Sequence, residues 1–465
     1  MSDTKELLRR AASLADGDSE AGEQPDAAME ICHKILADEP DNPSALFVIG
    51  CVLLKAARQV QAIQMAKRIC SIAPNDPRGW GLQAQAWAEM HRYDESLRCA
   101  EKALKIKRTP RTLADMAYTN ANAGNWDEAD RYCKATLTAA GGDPAMNRTA
   151  ITDALVNQAY ADLAKGRWVE GFEGFRRTMR TKWRKERVYT AADGGDTKEW
   201  MGEPDAVVIV TGEQGLGDEI MACSVIPDAA KACKTFILDC DARLAPIFAR
   251  SFPNVIVSPT RRVETVSLPV LPTHHKTLFG LCELFRRKDE DFPRQPFLMP
   301  RQDYVGMFRE LFGGQKVIGL AWSGGLPRTG MEPRAAGLSA FLPLLRRGEA
   351  QYVSLQYKDD SAEIAAFERE YGIKVMRLPW AAGSQDVELL AGLIAACTEV
   401  VGVHTSALHL SSAMGVPTTI LTHRGSGWRY APEKLLWYPE TTKTFGKRVG
   451  ESWRDCVHRL VEARK

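Results

Sequence analysis

The sequence predicts an α-helical repeat superhelix followed by two Rossmann-like α/β domains, and three observations carry that prediction. Small residues recur at a fixed step through the first third of the chain. From Ala206 onward, short β-branched runs alternate with helical patterns, as in parallel sheets. A Pro- and Arg-rich stretch over residues 286–301 splits those runs into two sets, as an inter-domain connection would. The expected boundaries are 1–185 for the repeats, 200–300 for the first α/β domain and 301–465 for the second, which closes with a helix over residues 452–462.

In the repeats, Ala28, Ala62, Ser96 and Ala129 recur at a step of about 34 residues; Pro40 and Pro74 share the step, as do Pro43 and Pro77. This is tetratricopeptide spacing. Helical patterns run over residues 44–57 and 60–71, 78–90 and 93–106, then 111–123 and 126–138. Three positions before the small residue stands a large one, Tyr93 or Trp126, wedged between helices that the small residue lets approach. A degenerate fourth unit, with Trp168 and Gly171 in those two places, reads as a cap. One helix pair cannot bury its own apolar face, so about three or more stack, and the concave side commonly binds peptide. At this period the aromatic stripe reads as core. Residues 181–200 mix charge and glycine without period and read as a linker.

Strands are expected over residues 207–210, 235–238 and 255–257 in the first α/β half, and over 317–320, 352–355, 375–378, 400–403 and 418–421 in the second. Two such domains face each other across a cleft, and their ligands collect at the carboxyl ends of the strands.

Whole-chain properties narrow the function classes. With 61 Lys plus Arg against 59 Asp plus Glu, the net charge of +2 points to neither a nucleic acid nor an anionic membrane as partner. The eleven cysteines include no C-x-x-C pair and no recurring His at ligand spacing, so they read as free thiols; Cys99 and Cys133, one repeat step apart, are small core residues of the repeat. The charged N-terminus lacks a signal-peptide core, and Glu388 and Glu399 interrupt the longest apolar run, so no membrane span and a cytoplasmic location are expected.

After the first predicted strand comes Thr211-Gly-Glu-Gln-Gly-Leu-Gly-Asp218-Glu-Ile, ahead of a helix, where Gly215 and Gly217 let backbone approach a ligand. Asp239 follows the second predicted strand at about the distance beyond Gly217 that a dinucleotide fingerprint places its acidic residue, which raises a dehydrogenase. The spacing G-x-x-G-x-G argues against it, and Asp218 would stand where a pyrophosphate must sit. In a cleft, Asp218 is instead a candidate general base toward an acceptor hydroxyl, or simply a carboxylate complementing its helix dipole. Asp239-Cys-Asp241 resembles a metal-binding D-x-D, but helix dipoles and basic side chains can neutralise phosphate without metal, and none is expected.

The stretch from Glu399 to Leu421 runs from an apolar strand into a helix whose first turn carries His404, Thr405 and Ser406. Free N–H groups and a partial positive charge there suit the pyrophosphate of an activated substrate; an ordinary β-α-β crossover capped by Thr405 is the plain alternative. Gly415 stops the helix and Pro417 opens the next strand.

With these residues in hand, the chain resembles bacterial tetratricopeptide proteins carrying a heptosyltransferase-like, two-domain (GT-B) glycosyltransferase module, and more distantly the O-linked N-acetylglucosamine transferases. The resemblance rests on Gly212-Glu-Gln-Gly-Leu-Gly-Asp-Glu-Ile220, Ala321-Trp-Ser323-Gly324, Val353-Ser-Leu-Gln356, Trp437-Tyr-Pro439 and the His404 stretch. It implies that Asp218 is the base and that Thr405, Ser406 and His409 contact the donor, with His404 standing where heptosyltransferase-like proteins carry Asp. His404 is the next candidate for the catalytic group. The same resemblance assigns Arg334 to the phosphates, with Arg328 in place of a second arginine; solvated loop charges are the alternative for both. Gly215, Gly217, Ser323, Gln356 and Lys358 complete the implied donor set, Gln356, Tyr357 and Lys358 lying where base and ribose contacts fall. Trp428, Arg429, Trp437 and Tyr438 are expected to lock the final helix onto the sheet.

The reading is an inverting, metal-independent glycosyltransferase of GT-B fold. A nucleotide sugar, its substrate rather than a cofactor, sits in the second half, and the repeats dock an acceptor such as flagellin, another protein or a glycan. The rival is a non-catalytic adaptor with a degenerate transferase fold. The sugar, the base and the acceptor stay open.

Overall fold

The computed structural model describes residues 2–16, 24–177, 187–191, 194–263, 268–325, 334–383, 385–430 and 435–464. They form two compact units, one of residues up to 165, the other of residues 166–176 with all those described from 187 onward.

The first unit is helical. It runs α1 (Ser2–Asp16), α2 (Pro25–Asp38), α3 (Pro43–Lys55), α4 (Gln59–Ile72), α5 (Pro77–Glu89), α6 (Tyr93–Ile106), α7 (Pro110–Asn122), α8 (Trp126–Ala140) and α9 (Arg148–Ala164). The repeat step is a step of local chemistry. Asn42, Asp76 and Thr109 each cap a helix that opens on proline, accepting from backbone N–H groups two or three residues further on. Ala57, His91 and Gly124 turn the chain between paired helices with φ of 57°, 57° and 75°. Ala28, Ala62, Ser96 and Ala129 are fully buried, where a larger side chain would push helices apart. Ser96 satisfies its hydroxyl on the Ala84 carbonyl at 2.6 Å.

The second unit opens with α10 (Trp168–Arg177), the helix expected to cap the repeats. Its aromatic side chains pack on the α/β unit instead. Trp168 lies 4.9 Å from Phe292, Phe172 6.2 Å from Trp437 and Phe175 5.5 Å from Phe279, ring centre to ring centre, and the Trp168 indole donates to Asp289 at 2.7 Å. The described part of the expected linker is also structured: Tyr189 and Trp200 are buried, and β1 (Lys198–Glu199) joins a sheet.

The first sheet adds β2 (Val207–Thr211), β3 (Thr235–Asp239), β4 (Ile256–Ser258) and β5 (His274–Thr277) in the order β1-β5-β2-β3-β4, every pair parallel. Between strands lie α11 (Leu216–Ala222), α12 (Ile226–Lys231) and α13 (Ala245–Ser251), with α14 (Leu278–Phe285) after β5. Following α15 (Gln302–Leu311), the second sheet takes β6 (Val317–Ala321), β7 (Gln351–Ser354), β8 (Glu399–Val403), β9 (Thr418–Thr422) and β10 (Thr442–Gly446), again all parallel, in the order β10-β9-β8-β6-β7. Its helices are α16 (Leu342–Leu345), α17 (Ser361–Tyr371), α18 (Val387–Ala396), α19 (Ser406–Ala413) and α20 (Trp453–Glu462). The expected strand over 375–378 reduces to one bridge, Met376 to Val353. Strand order reverses between β2 and β5 in one sheet and between β6 and β8 in the other, and at such reversals the loops part and leave a crevice.

Candidate functional site

Both reversals are occupied by residues singled out in the sequence. In the second sheet, β8 delivers His404 and Thr405 to the N-terminus of α19, while β6 delivers Ser323 and Gly324 beside them. Gly402 lies so close to the Ala321 carbonyl, and Gly324 to the Thr405 methyl, that a Cβ at either would collide. Thr405 occupies the cap position of α19 without making the cap bond, and its hydroxyl is buried with no hydrogen-bond partner among the described residues. Nδ1 of His404, a residue 8% exposed, is likewise unpartnered, although the ring is held by the Leu421 backbone. Two orphaned polar groups at one helix start are costly in a free protein and mark a place where a polar ligand would satisfy them.

The electrostatics around this point are cationic or neutral. Burial pushes His404 well below the usual histidine range, with His423 and Arg334 adding to the effect, and burial lowers His423 to about 4. The His404 ring lies tilted against His423 at 5.5 Å and Tyr430 at 4.9 Å, ring centre to ring centre. The Arg334 guanidinium covers Gly325, 2.5 Å from where a Cβ would stand; burial lowers its pKa, against the pull of Tyr430, Asp218 and Tyr357. Arg328 lies outside the described residues.

Gln356 and Ser323 meet across the ends of β7 and β6. The amide donates to the Ser323 carbonyl at 3.1 Å and accepts from its hydroxyl at 2.5 Å. Lys358 reaches the Gly325 carbonyl at 3.4 Å. Next to them is a pocket of about 160 Å³ lined by Gln356, Tyr357, Lys358, Asp360, Arg377 and Pro379, among others. Its polar wall is fixed from within, because Asp360 accepts from Ser354 and Arg377.

In the first sheet, Asp218 is the third residue of α11. Its Oδ2 accepts from the Gly215 N–H at 3.1 Å, the local capping role that the sequence left open, and its side chain stays 23% exposed. Its Oδ1 lies 2.5 Å from Nε of Arg429, from the second half. The N–H does not point at the oxygen, so the contact is charge pairing rather than a hydrogen bond. Ser406 begins α19, with its side chain partly exposed.

His409 is placed differently from the donor contact implied for it. Its Nδ1 meets the Tyr438 hydroxyl at 2.5 Å and its Nε2 the Tyr430 hydroxyl at 2.6 Å, so both nitrogens are taken. The ring edge packs on Gly217. Trp428, Trp437 and Tyr438 do not hold the last helix either. The two tryptophans gather on α10, Phe279 and Phe292, while α20 buries Val457, Leu460 and Val461 against Leu338, Phe341 and Leu345. Asp239 and Asp241 accept internally, the first from Tyr189, Thr260 and Arg187, the second from Arg243 and Arg262. Sequence reasoning passed over Arg429 as a site residue, along with Gln214 and Tyr430; the only signal was an arginine between two aromatics in a loop beyond the last recognised strand.

A family model for the tetratricopeptide repeat matches residues 5–86. The chain joins tetratricopeptide repeats to two α/β domains, each built on a five-stranded parallel sheet. Protein FlbA of Caulobacter vibrioides is 25% identical over 470 residues, spanning 94% of this chain and 75% of that protein. Among solved structures, the chain is similar to Escherichia coli ADP-heptose LPS heptosyltransferase II, with 16% identity and a TM-score of 0.41 over 55% of this chain and 98% of that one. It is also similar to a mutant O-GlcNAc transferase of Thermobaculum terrenum, with 13% identity and a TM-score of 0.38 over 98% of this chain and 89% of that one. Among the described residues, no helix is long and apolar enough to cross a membrane.

Proposed function

We propose that the protein is a glycosyltransferase that takes a nucleoside-diphosphate sugar in its second α/β half and passes the sugar to a hydroxyl presented by the first. The observation that carries this reading is the pair of unpartnered polar groups, Thr405 hydroxyl and His404 Nδ1, at the start of α19 beside Arg334. A diphosphate accepts from the Thr405 hydroxyl and the helix N–H groups, a hydroxyl of the donor sugar donates to His404 Nδ1, and Arg334 adds the fixed positive charge that the leaving diphosphate meets. The pocket beside Gln356 and Lys358 is where a nucleoside fits this placement. A donor reaching His404 displaces the Tyr430 ring that lies against it.

In the step proposed, the acceptor oxygen attacks the anomeric carbon, its proton passes to Asp218, and the carbon–oxygen bond to the diphosphate breaks with its electron pair leaving on phosphate. The anomeric configuration inverts. Holding both substrates in one cleft lowers the barrier by several kcal/mol, and a placed base adds roughly two to four powers of ten. The repeats hold the acceptor, a polypeptide such as flagellin.

The test is thermal stabilisation of the whole chain by a panel of nucleoside diphosphates and CMP, followed by donor hydrolysis and transfer with the matching sugars. A ligand at 100 times its dissociation constant adds about 2.7 kcal/mol. If no nucleotide stabilises the protein, the reading is wrong; stabilisation without turnover marks the adaptor.

A further inference from the structure

Asp218 is held by more than its own helix. Arg429 reaches it from the other half, and the Arg429 guanidinium is itself oriented, lying 4.7 Å from the Trp428 ring centre and 5.7 Å from that of Phe279. Its Nη2 donates to Oε1 of Gln214 at 2.5 Å. Gln214 stands four residues before Asp218 in the glycine loop, with φ of 62°. Glycine is the residue that adopts this left-handed backbone without strain, and the same loop uses glycine at three other places. A glutamine there keeps a strained backbone and gains one thing a glycine lacks, the amide that receives Arg429. Its carbonyl accepts from Arg261 at 2.6 Å, and Arg261 pairs with the fully buried Glu219, so the strained turn is braced from below. Strain that persists because its surroundings over-determine it gathers at functional loops.

We propose that Arg429 and Gln214 are positioning residues for Asp218, fixing its carboxylate when the loop of the second half, residues 428–430, is seated on the first. The proposal rests on the reading of Asp218 as the base. It makes base placement depend on contact between the donor half and the acceptor half, so that the carboxylate is aimed only where both substrates meet.

The experiment measures donor hydrolysis and transfer by the whole chain, donor affinity by calorimetry and the thermal midpoint, for Gln214→Gly, Arg429→Lys, Arg429→Met and Asp218→Asn. Gln214→Gly is expected to keep or raise the midpoint while kcat falls about tenfold at unchanged donor affinity, because it relieves the backbone and frees Arg429. Arg429→Met should lower kcat further, and Arg429→Lys should recover part of it, since an ammonium can pair with Asp218 but not also bridge to Gln214. In an Asp218→Asn background, Arg429→Met should cost nothing more, the mark of a residue acting through another. Packing alone predicts the same midpoint in Gln214→Gly but leaves kcat untouched, so the fall in kcat separates the two. Wild-type kcat in Gln214→Gly and Arg429→Met overturns the positioning role and leaves the base reading standing. Wild-type turnover in Asp218→Asn, or no turnover of any donor by the unaltered protein, overturns both.

Discussion

Gly217 lies against the edge of the His409 imidazole: a Cβ built on it would stand 2.6 Å from the ring's Cδ2. Through this contact α11 of the first half meets α19 of the second, the two helices that begin at the strand reversals. His409 cannot yield, because Tyr438 and Tyr430 hold its two nitrogens at 2.5 and 2.6 Å. Gly217→Ala should therefore destabilise the protein by about 1–3 kcal/mol, the usual cost of overpacking, seen as a lower urea midpoint. Gly306, inside α15 with nothing near its missing Cβ, is the control: Gly306→Ala should raise stability by about 1 kcal/mol. Equal effects at the two sites would show that the contact is not tight.

The same histidine makes stability depend on pH. Burial is the first cause that lowers His409 to about 4, with Arg429 and Arg334 in the same direction and Asp218 opposing; burial also lowers His423 to about 4. In the unfolded chain both titrate near 6.5. Between those values the unfolded state binds the extra protons, so stability is full above pH 6.5 and is lost as pH falls toward 4. His409 alone contributes on the order of 3 kcal/mol across that window. Urea midpoints from pH 7 to pH 5 should fall, and His409→Gln should flatten part of the slope. A wild-type midpoint constant over that range counts against neutral buried imidazoles.

Much of this architecture was legible in the sequence, for physical reasons that also explain the gaps. A fixed step shows through because each repeat buries the same small residue; β2, β3, β6, β8 and β9 show through because strands covered on both faces become apolar runs. The strand β5 reads His-His-Lys-Thr and β10 Thr-Lys-Thr-Phe-Gly, too polar to announce themselves; their pairing comes from neighbours. The role of α10 was hidden because Trp168 and Gly171 keep the repeat's spacing while their surroundings change. Spacing reports a helix pair, not which unit the helix joins. Asp218 could be found from its loop, whereas its partner Arg429 lies far along the chain, beyond the second sheet's β9, and only folding brings them together.

Thr405→Val should separate folding from binding. The valine keeps the methyl that fills the space over Gly324 and removes a buried hydroxyl that has no partner. Losing an unsatisfied polar group is neutral or stabilising, so the free protein's thermal midpoint should hold or rise. Donor affinity should fall by about 1–3 kcal/mol, the value of a hydrogen bond to a charged group. Calorimetric titration decides it, and unchanged affinity would remove the phosphate from this helix.

Asp218→Asn preserves shape and the bond to the Gly215 N–H while removing the base. Turnover should drop about a hundredfold or more with donor affinity nearly intact. Survival of the rate within a few-fold would transfer the base role elsewhere, His404 being the next group to replace.

The place where the transferase part begins can be tested by truncation. A chain beginning at Thr197 removes α10, and with it Trp168, Phe172 and Phe175, each at most 3% exposed. Their loss uncovers Phe279, Phe292, Trp428 and Trp437, the rings they contact. Burial of one large apolar side chain is worth about 1.5–3 kcal/mol, so losing three approaches the whole stability of an ordinary domain. It also removes Arg176, which pairs with Glu199 at 3.3 Å and Glu283 at 2.9 Å beside the buried Lys276. A chain beginning at Gly166 keeps all of these. The Gly166 chain should unfold cooperatively and be stabilised by the same nucleotide as the full-length protein, while the Thr197 chain should melt far lower or aggregate. With folding secured, transfer to a protein acceptor at micromolar concentration measures the repeats. If they hold the acceptor, the Gly166 chain should lose transfer while keeping donor hydrolysis, because docking supplies an effective concentration of about millimolar. Equal transfer by the two would assign the repeats to another partner, and a Thr197 chain as stable as the Gly166 chain would return α10 to the repeats.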